Sequence, residues 1–350
     1  MNAAELIQNV LALKPTERQP VSVFSGGAWA LSSGGLSLER ALASPPETTA
    51  ELLYRMYSSV DSDIFWAVSG FNNIVIGAIG GKIKFRSRGT PDVIETLLKK
   101  ASDADHIDLD RIRDDEKIRT LYEVSRLLVK KASGDHHPVA LTRWGPFTLA
   151  GLLYGAENLM RDIYRDPQAV RHILDFTSEL YLRYTEPYIE NGVEIMLIAE
   201  PTSSGDMISR RHFEDFALPV FKRIFAALRK KGALAAIHIC GDIENRLDLL
   251  AVAGAHFVSV DYKVSLKKAR AAFNGKVAFG GNMNPVKVMQ QATAEELALV
   301  CEQCIADAGD GGGFILMPGC DLPPSTPVEN VRTMIRTGQA HVYHSRKVTP

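Results

Sequence analysis

The sequence is poor in cysteine, has almost no net charge and contains no long apolar run. Four cysteines, Cys240, Cys301, Cys304 and Cys320, occur in 350 residues. That is too few for a disulfide scaffold, and scattered thiols in a reducing compartment are either buried or chemically active. Forty basic residues against forty-one acidic ones leave a net charge of -1, so no long-range positive field is there to collect phosphates and nucleic acid is not expected as the main partner. No apolar stretch approaches the roughly 18 residues of a membrane helix. The segment Met1 to Leu13 carries Glu5 and no basic residue before Lys14, unlike a secretory leader. A cytoplasmic protein without a membrane partner is expected. There is also no Gly-x-Ser-x-Gly elbow, and Gly309-Asp310-Gly311-Gly312-Gly313 lacks the Lys-Ser/Thr of a phosphate loop, so it reads as a turn.

What is present is an alternation of short apolar runs with segments of helical period, the signature of βα units around a parallel sheet. Eight runs qualify as strands: Val21 to Ser25, Ile64 to Ser69, Val139 to Arg143, Glu194 to Glu200, Leu234 to Cys240, Phe257 to Asp261, Val277 to Gly281 and Phe314 to Gly319. Thr293-Ala294-Glu295-Glu296 predicts a capping box opening a helix that ends near Asp307. Thr326-Pro327-Val328-Glu329 predicts another, with Gly338 as its stop signal. Eight strands with helices between them, and no Gly-rich dinucleotide fingerprint after the first, favour a (β/α)8 TIM barrel over an open doubly wound sheet. The chain is read as one α/β domain, residues 1–350, with an N-terminal helical extension. A mostly helical insertion is expected over about residues 82–138, its charge run Asp108 to Lys117 being a solvated helix face.

In such a barrel, function lies at the C-terminal ends of the strands. Those ends carry Glu200, His238 with Cys240, Asp261 with Tyr262, Asn282, and Cys320. His238 and Cys240 are two apart on a strand, and a period of two puts both on one face at the barrel mouth. With Cys320 and Glu200 they offer one imidazole, two thiolates and one carboxylate, a set that suits tetrahedral zinc and suits magnesium or calcium poorly. The competing reading is a satisfied core histidine beside a small buried thiol. Cys301 and Cys304 have zinc-like CxxC spacing, yet with Leu297, Val300 and Ile305 they form a helical i, i+3, i+4, i+7, i+8 stripe and are expected in the core.

Five motifs resemble the uroporphyrinogen decarboxylase superfamily. They are Gly145-Pro146-Phe147-Thr148-Leu149-Ala150, the run Ser209 to Phe216 followed by Leu218-Pro219, His238-Ile239-Cys240-Gly241-Asp242, Gly281-Asn282-Met283-Asn284-Pro285 and Pro318-Gly319-Cys320-Asp321. The likeness is stronger to its corrinoid-dependent methyltransferase branch, which includes the methylcobamide:coenzyme M methyltransferases. It runs from about residue 139 to 340. In that branch a His-x-Cys pair and a distant cysteine bind zinc. The resemblance therefore implies zinc on His238, Cys240 and Cys320 as the catalytic centre, Glu200 as an exchangeable fourth ligand, and a methylcorrinoid carried by a separate corrinoid protein. No Asp-x-His-x-x-Gly cobalamin motif occurs in the chain. Contacts to substrate or cofactor from Asp261, Tyr262 and Asn282 are expected from strand-end position alone.

The decarboxylase activity itself fits poorly. No arginine occurs between Gln19 and Glu39, where the decarboxylase has its substrate arginines, and Cys320 aligns with its histidine near the eighth strand. The expected activity is methyl transfer between a corrinoid protein and a small thiol such as coenzyme M. A methyl-donor demethylase of the same fold, a uroporphyrinogen-type decarboxylase and a non-catalytic barrel that binds a corrinoid protein are the alternatives, and a homodimer is compatible with each. Asn284 stands where the family commonly has aspartate, which leaves the acceptor open.

Overall fold

The computed structural model describes residues 1–87, 89–309 and 312–343. Among these, seven strands form one parallel sheet in which every strand lies beside its sequence neighbour. They are β1 (Phe65–Ala67), β2 (Val139–Trp144), β3 (Ile195–Ala199), β4 (Leu234–Ile239), β5 (Phe257–Val260), β6 (Ala278–Met283) and β7 (Phe314–Pro318). All seven lie within a residue or two of the apolar runs that predict them. The expected turn at 309–313 falls partly outside the described residues, which omit 310 and 311.

The eighth predicted strand, Val21 to Ser25, is reduced to a bridge. Val21 pairs in parallel with Leu316, Leu316 N–H donates to Pro20 O at 2.9 Å and Ser22 N–H to Leu316 O at 3.1 Å. On its other side one backbone bond remains, Asp63 N–H to Val21 O at 3.0 Å, and side chains take the other N–H groups: Val21 N–H donates to Asp63 Oδ2 at 2.8 Å and Val23 N–H to Ser62 Oγ at 3.3 Å. Ser25 and Gly26 then turn the chain away at φ 61° and 56°. The segment still spans the gap between β7 and the residues leading into β1, so the sheet is curled into a TIM-type barrel with one irregular stave. Asp63 is held by a bidentate Arg18 at 2.6 and 2.8 Å, which anchors that stave.

The segment expected as an insertion divides in two. Glu116–Gly134 is the barrel's own crossover helix between β1 and β2, capped by Asp115, which accepts from Ile118 N–H at 3.0 Å. Its buried face, Ile118, Leu121, Val124 and Leu128, packs on the helix Pro46–Val60. Only the stretch before it, with a short hairpin of Ile83–Lys84 and Asp92–Val93 and a 3-10 turn at Ala101–His106, is additional. Reading the region by its charge run hid the apolar stripe that follows. The charges are solvated as expected: Arg183 meets an Asp110 that is 80% exposed.

The box at Thr293 forms, with Thr293 Oγ1 accepting from Glu296 N–H at 3.3 Å and Glu296 Oε2 from Thr293 N–H at 3.0 Å. The box at Thr326 does not. The last helix starts at Val328 with Pro327 as its cap, which puts Glu329 one position too early, where it pairs with Arg336 instead. Gly338 is not the stop either: the helix continues to Gln339, and a Cβ at Gly338 would lie 2.4 Å from Val21 Cγ2. Glycine there lets the helix close on the irregular stave. At the opposite end from the mouth, the N-terminal helix Ala3–Leu11 buries Leu6, Ile7 and Val10, and Ala4 N–H reaches His136 O just before β2. No helix among the described residues is long and apolar enough to cross a membrane.

Candidate metal centre at the barrel mouth

Strand register assembles the site. Ala199 of β3, His238 of β4 and Ser259 of β5 are successive lateral partners, and lateral partners share a face of the sheet. That face is the barrel interior, where the Phe24 ring lies 4.6 Å from the imidazole of His238. Cys240 follows β4 two residues after His238, and Cys320 follows the end of β7 by two. His238 Nε2 is 3.1 Å from Cys240 Sγ, and Cys240 Sγ is 3.5 Å from Cys320 Sγ. His238, Cys240, Asp261 and Cys320 each offer a ligand atom, all within 4.8 Å of one another. The thiols are partly exposed, whereas His238 and Asp261 are buried.

The two thiols are inequivalent. The Cys240 thiol donates toward Cys320, which holds Cys320 well below the usual thiol range, while Cys240 is pushed up by the same hydrogen bond and by burial. Burial raises the carboxyl of Asp261, opposed by the N–H groups of Gly241 and Lys263. Burial, with the Cys320 charge beside it, raises Asp321 to about 7; its carboxylate accepts from Gly26 N–H at 2.9 Å and ties the Cys320 loop to the irregular stave.

The donor set fits zinc. Ligand bonds of roughly 2.0–2.3 Å at tetrahedral angles put donor atoms about 3.5 Å apart, and the observed spacings of 3.1 and 3.5 Å reach that with a shift of a few tenths of an ångström. His238 Nδ1 lies 3.0 Å from Ser259 Oγ, leaving Nε2 toward the sulfurs. Ser259 escaped the sequence reading, although Ser259-x-Asp261 repeats on β5 the spacing of His238-x-Cys240 on β4.

Glu200 is not in the cluster. One residue past Ala199, its carboxylate is turned to the N-terminus of the helix Pro146–Tyr154, where it accepts from Phe147 N–H at 3.0 Å and from Thr148 N–H and Oγ1, each at 2.8 Å. A carboxylate suits the positive end of a helix. Burial nevertheless raises Glu200 to about 7 against those three hydrogen bonds. A Cβ at Gly145 would sit 2.2 Å from Glu200 Oε1, so glycine there makes room for the carboxylate. The oxygen donor near the thiols is Asp261, expected only as a substrate contact.

The other expected contacts divide. Tyr262 is 44% exposed at the rim. The Asn282 amide is engaged by the backbone, donating to Asp261 O at 3.1 Å and Val264 O at 2.6 Å. Cys301 and Cys304 are buried in the helix Ala294–Ala308, as their stripe predicts.

Three loops around the thiols are strapped together. Asp206 Oδ2 accepts from Lys263 Nζ at 2.9 Å and from Asp242 N–H at 3.3 Å. The fully buried Arg246 donates to Ser203 O and Ile208 O.

Comparison with known proteins agrees with this fold. The uroporphyrinogen decarboxylase (URO-D) family model matches residues 2–341. A methylcobamide:CoM methyltransferase, MtbA, of Methanosarcina mazei is 29% identical over 253 residues, 72% of each chain. A uroporphyrinogen decarboxylase of Carboxydothermus hydrogenoformans is 26% identical over 76% of this chain and 75% of its own. A solved methyltransferase from Methanosarcina mazei has the same fold, with a TM-score of 0.86 and 20% identity over 97% of this chain and 99% of that one. With its fold matched end to end and its family model spanning nearly the whole sequence, the chain belongs to the uroporphyrinogen decarboxylase family and stands with that family's methyltransferases.

Proposed function

We propose that the protein is a zinc-dependent, corrinoid-linked methyltransferase of the cytoplasm, its whole chain one domain, moving a methyl group between a corrinoid protein and a small thiol such as coenzyme M. The observation that carries this reading is the convergence of one imidazole, two thiols and one carboxylate at the barrel mouth. Zinc would be held by His238, Cys240 and Cys320, with Asp261 in reach of the fourth position. Bound there, it would supply the positive charge that keeps a thiol substrate ionised near neutral pH.

The chain's own residues do the rest. Two anionic cysteine ligands leave a neighbouring substrate sulfur electron-rich. The Phe24 face and the buried barrel wall exclude water below the site, and the Asp206 strap keeps the mouth in shape. A substrate thiolate held here would take the methyl group with its lone pair, and the corrinoid, as the leaving group, would keep the electron pair of the bond that breaks. The thiol proton would go to solvent beforehand. Exposed Met207, Tyr262 and Val286, which follow β3, β5 and β6, give the rim apolar contacts for a corrinoid protein. The thiol-acceptor direction is preferred because relatives are named as CoM methyltransferases, although the same donor set would serve a demethylase.

The test is zinc content, measured on the wild type, Cys320→Ala and Cys301→Ala, followed by incubation with methylcobalamin and coenzyme M. The reading expects about one zinc per chain, lost in the first variant and kept in the second, with a methyl thioether formed as cob(I)alamin is released. A folded protein that stays metal-free after zinc reconstitution overturns it. Methylation of cob(I)alamin by a methyl donor, with no thiol methylated, reverses the direction.

A further inference from the structure

A histidine that binds a metal through one ring nitrogen must carry its proton on the other, and the partner of that second nitrogen decides which way the ring presents itself. Among the described residues the second nitrogen of His238 has one hydrogen-bonding neighbour, the hydroxyl of Ser259, 3.0 Å from Nδ1. Ser259 is completely buried. Its register places it between His238 on one side and Gly280 on the other. A Cβ at Gly280 would come within 2.6 Å of Phe257 Cζ, so no side chain from β6 can compete for the hydroxyl. Phe24 packs against the imidazole and offers no polar atom.

From this we propose that Ser259 is the positioning residue of the site: its hydroxyl accepts the Nδ1 proton of His238 and so fixes the ring with the Nε2 lone pair toward Cys240 and Cys320. The inference rests on the zinc reading above and deepens it. Serine suits the role because a hydroxyl can accept without adding a buried charge. A carboxylate there would place a fourth anion beside two thiolates and Asp261. Without the hydroxyl, Nδ1–H would be buried with nothing to accept it. The ring would then turn, or hold its proton on Nε2, and either change costs metal affinity.

The experiment compares wild type, Ser259→Ala and Ser259→Thr. Zinc and cobalt(II) affinities are measured by chelator competition, and the visible spectrum of the cobalt form reports the thiolate ligands. The expected result is a dissociation constant raised about 10- to 100-fold in Ser259→Ala, with the thiolate-to-cobalt bands retained because both cysteines still bind. Ser259→Thr, which keeps the hydroxyl, should recover affinity to within about threefold of wild type. Thermal melts of the three metal-free proteins separate positioning from packing: a Ser259→Thr variant that melts like wild type yet binds metal as weakly as Ser259→Ala overturns the proposal. Wild-type affinity in Ser259→Ala also overturns it while leaving the zinc reading intact. A folded wild type that binds neither metal overturns both.

Discussion

The chain carries two pairs of cysteines, and their sequence spacings point the wrong way. Cys301 and Cys304 are three residues apart and look like half of a zinc site, yet both lie in the core face of one helix, Cys301 Sγ 3.4 Å from Met283 Sδ and Cys304 Sγ 3.9 Å from Asn282 Oδ1. Burial pushes both thiols up, Cys304 to about 11. Cys240 and Cys320 come from strands at opposite ends of the second half of the chain, and their sulfurs are 3.5 Å apart beside an imidazole. The difference is one of surroundings. A helix face turned to the core removes water and supplies no counter-charge, so the thiol stays protonated. A barrel mouth gathers the ends of non-neighbouring strands, and there a second thiol and a histidine hold Cys320 down.

The sharpest way to break this comparison is to remove one sulfur from each pair. Cys320→Ala is expected to lower zinc occupancy and methyl transfer by more than about 100-fold, since loss of a ligand exceeds the 10- to 100-fold typical of outer partners. Cys301→Ala should keep its zinc and lose only about 1 kcal/mol of stability as a small core truncation. Equal zinc loss in both would end the distinction.

Chemical reactivity draws it more finely. In zinc-stripped protein at pH 7, iodoacetamide should label Cys320 at least about tenfold faster than Cys301, because the thiolate is the nucleophile and access is required. Peptide mass spectrometry over time reads this directly, and equal rates would mean that the core helix opens as readily as the mouth.

The same contrast holds for carboxylates, Asp261 among the donors against Glu200 at a helix end. Glu200 is raised to about 7 when folded from an ordinary 4.5. A folded-state acid with a raised value binds more protons than the unfolded chain between those two values, so its contribution to stability falls as pH rises from 4.5 to 7 and is flat above. Glu200→Gln removes that slope. Relative to wild type, the variant should gain up to about 3 kcal/mol across the window in urea unfolding, on top of a pH-independent cost for the altered hydrogen bonds. It should also keep its zinc. A parallel pH dependence in the two proteins would place the titration elsewhere, for instance on Asp321. The smallest effect is expected from Arg183→Ala, whose partner Asp110 is 80% exposed; its stability should change by no more than about 0.5 kcal/mol.

Much of the fold is legible because periodicity is a local consequence of burial. Parallel strands buried on both faces read as short apolar runs, and seven of the eight runs become strands at their expected places. The failures have physical causes. Val21 to Ser25 gives up the N–H groups of Val21 and Val23 to the side chains of Asp63 and Ser62, which apolarity does not reveal. The crossover helix Glu116–Gly134 sits behind a charge run, and the start of the last helix slips by one residue because Pro327 takes the cap.

By itself the sequence determined the class of fold, the His238-x-Cys240 clamp and the core fate of Cys301 and Cys304, because each depends on which face a residue presents within one element. Only the tertiary structure decided the rest. It joined Cys320 to the clamp, put Asp261 rather than Glu200 beside the sulfurs, and set Ser259 against His238. Those outcomes depend on register between strands and on how a loop leaves its strand: a one-residue step turns Glu200 from the barrel interior to a helix end, and nothing in its local composition records the step.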